Sequence, residues 1–105
     1  MAEPHVTFRG WRCRVERATY GHTDRIALPL YDATDGEPVA VATINLPELA
    51  LAADEVVIKD YSENEGMLAT LVAAGVISAP LRAIPLQYVT VYICRCLIGV
   101  GKEER

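Results

Sequence analysis

The residues best suited to chemistry are the acids between positions 54 and 65. Asp54, Glu55, Asp60, Glu63 and Glu65 crowd into twelve residues. Carboxylates at that density can hold a divalent cation or dock on a basic surface. Their spacing lacks the D-x-[DN]-x-[DN]-G pattern of a calcium loop, so an acidic docking face is the functional expectation. A plainer reading stands beside it. Ser62 and Glu65 fit the S-x-x-E capping box, in which the hydroxyl accepts from the Glu65 N–H and the carboxylate reaches back to the Ser62 N–H. Exposed charges at a solvated helix start contribute little on their own.

The other candidates are sparser. His5 and His22 are the only histidines, and neither has triad spacing to a Ser, Cys or carboxylate. Cys94 and Cys96, two apart on a strand, share one face. Without a second Cys/His pair they cannot complete a tetrahedral metal site, so burial as small apolar groups is expected. Cys13 alternates with Trp11 and Val15 and reads as core. No P-loop and no G-x-G-x-x-G occurs. The expectation is a non-enzymatic protein with no cofactor and no metal. Tyr61, Tyr88 and Tyr92 are the candidate interface anchors, because a tyrosine buries a large area and keeps a polar handle.

The elements that must position these residues centre on Asp54–Gly75. A short strand (Glu55–Asp60) turns into a helix (Glu63–Ala74), closed by Gly75 at a left-handed position. Met67, Leu68, Leu71 and Val72 form its apolar face. Before it, Val6–Tyr20 reads as one long or bent strand, switching parity at Gly10, where a bulge or a break is expected. Arg25–Tyr31 and Val39–Leu46 form a hairpin across Asp32-Ala-Thr-Asp-Gly36. Pro29 removes a ladder donor and marks an edge strand or a strand end. After the helix Leu81–Ile84 is ambiguous. Gln87–Ile98 is a nearly unbroken apolar run, expected to be central and covered on both faces. Val89, Val91, Ile93 and Leu97 take one parity; Tyr88, Tyr92, Cys94, Cys96 and Ile98 take the other.

The order β-β-β-β-α-β predicts an α+β fold: a mostly antiparallel four- to five-stranded sheet with one helix packed on one face. The crossover from the helix leaves room for one parallel pair. A 12-residue helix covers only one face of the last strand. A second molecule is therefore the expected cover for the other, on the tyrosine side.

The chain has 105 residues, 51% of them hydrophobic, which suits one domain over 1–105, with a core of about 5–98 and a flexible tail at 99–105. The formal net charge is −4, so direct nucleic-acid binding is disfavoured. Charge is uneven: residues 26–70 hold nine acids against one Lys, while both ends are mildly positive. No run approaches a membrane span. The start MAEPHVTFRG has no apolar leader, and with three cysteines the expectation is a cytoplasmic protein with reduced thiols.

The stretch from Asp32 to Pro38, Asn45-Leu-Pro-Glu48, the unit Asp54–Ile77 and the run Tyr88–Leu97 together resemble small uncharacterised accessory proteins of phages, plasmids and integrative elements. The resemblance covers residues 32–97. It implies a mobile-element accessory protein, similar in style to anti-CRISPR proteins, and brings no known activity. The acidic set Asp54, Glu55, Asp60, Glu63 and Glu65 sets the partner expectation, the basic surface of a nucleic-acid-handling defence complex. The alternative is a small homo-oligomeric structural module, a homodimer being the simplest form, with no inhibitory role.

Overall fold

The computed structural model describes residues 4–21 and 23–99. His22 and the expected tail beyond Gly99 lie outside the described residues. Two strands open the chain, β1 (His5–Phe8) and β2 (Trp11–Val15). Between them Arg9 and Gly10 both take positive φ, 52° and 85°, as a two-residue turn of the I′ kind requires. Gly10 thus marks a hairpin break rather than a bulge. A short ribbon follows, β3 (Ala18–Thr19) with β4 (Ile26–Ala27). Then come β5 (Pro29–Asp32) and β6 (Pro38–Val41). The loop joining them is the expected hairpin: the Asp32 side chain accepts from the Thr34 N–H at 2.7 Å, and Gly36 sits at φ 80°.

Four of these strands form a first sheet in the order β1-β2-β5-β6, and β3 and β4 pair by themselves. Pro29 begins β5, a strand end rather than a sheet edge, so its missing N–H costs the ladder little. The second half of the chain adds β7 (Glu55–Ile58), a 3₁₀ turn (Ser62–Asn64), the helix α1 (Met67–Ala73), β8 (Arg82–Pro85) and β9 (Thr90–Arg95). The ambiguous segment is therefore a strand. The last strand is central as expected, but in a second, three-stranded sheet of order β7-β9-β8. Every strand pair among the described residues is antiparallel. Residues 42–44 run on from β6 alongside β7 and join the two sheets: Lys59 N–H donates to Ala42 C=O at 2.9 Å and Ile44 N–H to Val57 C=O at 3.1 Å. The fold is α+β and sheet-dominated, with one helix.

The core has two parts. The larger gathers Val6 and Phe8 of β1, Cys13 and Val15 of β2, Leu28 and Leu30, Ile58, and Met67 and Leu71 of α1. Cys94 of β9 and Cys96 just beyond it complete the core, with Tyr92 packed against it. The smaller holds Val57, Val91 and Ile93, covered by Ile44, Leu46, Leu49, Leu51, Tyr61 and Ile84. Both faces of β9 are thus covered, as its composition requires. The cover of the second face is the chain's own 44–51 segment, so no second molecule is needed there. The faces are also reversed from expectation: the tyrosine–cysteine face meets the helix side, and the valine–isoleucine face meets the loop.

The helix begins later than its sequence suggests. Ser62 takes φ 56° and Gly66 φ 95°, and two left-handed residues cannot lie within a right-handed helix. They divide the expected helix into the 3₁₀ turn and a seven-residue α1.

Candidate functional site

The five acids fall into two groups. The length of β7, about 10 Å of strand, separates Asp54 and Glu55 from Asp60, Glu63 and Glu65. At the first end Asp54 Oδ2 meets Arg95 Nε at 3.0 Å. Glu55 Oε1 accepts from Arg82 Nη2 at 3.1 Å and from the Ala52 N–H at 3.0 Å. The Arg82 hydrogen bond and then the Ala52 N–H hold the Glu55 carboxyl below the usual carboxylate range.

At the second end Asp60 is the helix cap. Its Oδ1 accepts the Leu68 N–H at 2.8 Å, while the Glu65 N–H donates to the Ser62 backbone carbonyl at 3.1 Å instead of the hydroxyl. The capping box is therefore not formed. Glu63 pairs with Lys59 at 2.7 Å, which lowers the Glu63 pKa and raises that of Lys59. Glu65 is exposed, and its backbone carbonyl accepts from Arg9 at 3.4 Å. Asp54, Glu55 and Glu63 each sit in an ion pair, whereas Arg9 reaches only the backbone carbonyl of the exposed Glu65.

The tyrosines divide by environment. Tyr92 packs on the larger core. Tyr61 packs on the smaller one, with Lys59 Nζ 5.3 Å above its ring. Tyr88, in the turn before β9, is 87% exposed. Sequence reasoning missed its neighbour Leu86, 37% exposed, and Leu81 at the other end of β8, 43% exposed. The signal was present: Pro80 and Pro85 bracket β8, and prolines concentrate on edge strands. Sheet order confirms that β8 is an edge. Ile58 stands opposite Tyr92, so the residues after β7 lie beside those before β9. Tyr61 and Glu63 thus share one end of the second sheet with Leu86 and Tyr88.

Cys13, Cys94 and Cys96 are buried and outside any disulfide. Burial pushes the Cys94 thiol up to about 11; burial and then Asp32 raise Cys13. Neither is primed as a nucleophile. His5 is exposed on β1. Among the described residues no three His, Cys, Asp or Glu side chains come together as a metal cluster, and no helix is long and apolar enough to cross a membrane. A cavity of about 10 Å³ lies among Tyr20, Arg25, Leu46, Glu55 and Val57, too small for a metabolite. No protein-family model, curated protein or solved structure matches the chain.

Proposed function

We propose that this chain is a non-enzymatic protein-binding module that contacts its partner through the end of the second sheet formed by Leu86, Tyr88 and Tyr61, with Glu63 on the rim. The observation that carries this reading is the near-complete exposure of Tyr88 beside the exposed Leu86. An exposed ring gains most when a partner covers it, and tyrosine is among the residues that most often dominate binding energy. The acids at this end favour a partner whose apolar pocket is rimmed by basic groups. A nucleic-acid-handling complex of a host defence system offers such a surface, and the phage and mobile-element resemblance points to that class.

The test begins with a photo-crosslinking phenylalanine analogue at position 88, introduced in cells to capture the partner, followed by reconstitution of the purified pair. Leu86→Ser and Tyr88→Ala should each weaken that complex about tenfold or more, while Val41→Ser, at an exposed position on the first sheet, should leave it unchanged. Equal affinity in all three variants would remove this surface from the function. A crosslink formed only between copies of the chain would assign the surface to self-association instead.

A further inference from the structure

Leu46, Leu49 and Leu51 close the smaller core over Val57, Val91 and Ile93, and two oppositely charged side chains fix the backbone that carries them. Arg25, just before β4, donates from Nη2 to the carbonyls of Pro47, at 3.3 Å, and Leu49. Glu55, the first residue of β7, accepts the Ala52 N–H at 3.0 Å and Arg82 Nη2 at 3.1 Å. Arg82 Nη2 in turn reaches the Ala50 carbonyl at 3.4 Å. The two anchors do not meet directly. The ion pair of Glu55 is with Arg82, and among the described residues Arg25 has no carboxylate at ion-pair distance.

Between the anchors lies a polar site. Arg25 Nη1 is shielded from solvent, and no protein group accepts from it. A buried charged donor without an acceptor is among the costlier features a fold can carry. The cavity of about 10 Å³ is lined by both Arg25 and Glu55, with Tyr20 on its wall. A cavity needs roughly 10–15 Å³ to hold one water, and that water needs polar partners. Glu55 Oε2 keeps acceptor capacity, because its bond from Arg82 Nη1 is long at 3.4 Å. The Tyr20 hydroxyl, bonded to Thr43 Oγ1 at 2.7 Å, retains a second hydrogen-bonding position. The charges on the wall select the occupant. An anion would meet the Glu55 carboxylate and a cation the Arg25 guanidinium, each at a range where repulsion is large. A neutral dipole that accepts on one side and donates on the other satisfies both.

We propose that this cavity binds a single internal water, which accepts from Arg25 Nη1 and donates to the Glu55 carboxylate. The water joins the two anchors of residues 46–52 into one hydrogen-bonded network, running from the start of β4 through β7 to Arg82 of β8. A bridging water of this kind is nearly as favourable as a direct hydrogen bond, and here it supplies the acceptor that the protein does not. Arg25 is thereby a positioning residue with three acceptors, two carbonyls and one water. This inference is independent of the Leu86–Tyr88 surface, and its test leaves those residues untouched.

A crystal structure of the full chain that resolves ordered solvent tests the site. One water is expected within about 3.2 Å of both Arg25 Nη1 and a Glu55 carboxylate oxygen. A direct Arg25–Glu55 ion pair, a protein carbonyl on Nη1, or an anomalous peak in the cavity from crystals soaked in bromide would overturn it. Denaturant melts test the network in solution through a double-mutant cycle of Arg25→Met and Glu55→Gln. The folding equilibrium constant of the double variant should depart by about threefold or more from that of two independent changes. Should Arg25→Met not fold, Arg25→Gln takes its place. Additive effects in the cycle would overturn the bridge.

Discussion

Asp60→Ala tests where the helix is held. Asp60 Oδ1 accepts the Leu68 N–H at 2.8 Å, and neither the Gly66 N-cap nor Ser62 supplies a side-chain acceptor. The helix cannot escape the loss by growing backward, because Gly66 and Ser62 sit at positive φ. Nor can it fray freely, because Met67 and Leu71 are fully buried. The amide of Leu68 would then stay in place, in a partly buried setting, without its acceptor. Loss of such a cap costs about 1 kcal/mol, within a range of about 0.5–2. At about 2.1 cal/mol/K per residue, this chain has an unfolding entropy near 0.2 kcal/mol/K, so Tm should fall by about 5 °C. Ser62→Ala, whose side chain makes no cap bond, should stay within about 0.5 kcal/mol of the parent. Denaturant melts followed by circular dichroism give both values, and exchange at the Leu68 amide shows whether the loss is local. A Ser62→Ala loss as large as that of Asp60→Ala would refute this account of the helix start.

Four further outcomes follow from the same geometry. Glu55→Gln should reduce the acid sensitivity of folding: the folded-state pKa of Glu55 lies below its ordinary 4.5, so its contribution is whole above that pH and lost as pH falls through the depressed value. Stability of the variant should therefore decline less between about pH 5 and pH 3, and a parallel decline would show that the Arg82 pair contributes nothing. Cys94, with its thiol pushed up to about 11, should resist a disulfide reagent at pH 8 until the protein unfolds; prompt labelling in the native state would place it at the surface. Ile93→Ala should cost about 2–5 kcal/mol, and Tyr92→Asp should lower Tm by melting the larger core without changing the measured mass. A Tyr92→Asp chain with an unchanged melt would mean that face is open to solvent.

Much of the architecture was legible because it depends on short-range chemistry. The parity of Val91 and Ile93 against Tyr92, Cys94 and Cys96 marked β9 as covered on both sides, and it is. Asp32 and Gly36 marked their hairpin, and the i, i+4 pair Met67 and Leu71 marked the buried stripe of the helix. Each of these follows from the period of a strand or helix, or from the φ a turn demands. Tertiary structure alone decided what lay beyond that range. β7 meets β9 across more than thirty intervening residues, which brings Arg95 to Asp54, and β8 pairs with the other side of β9, which brings Arg82 to Glu55, turning both acids into ion pairs. That pairing also makes the segment 46–51, which starts at the end of the expected Val39–Leu46 strand, the cover of a second core. Asp60 rather than Ser62 became the cap because the chain enters the helix through two left-handed residues, which moves the helix start four positions on and leaves a carboxylate eight residues back within reach of Leu68. Local propensity cannot report such contacts, because the energy that selects them comes from side chains distant in sequence packing together.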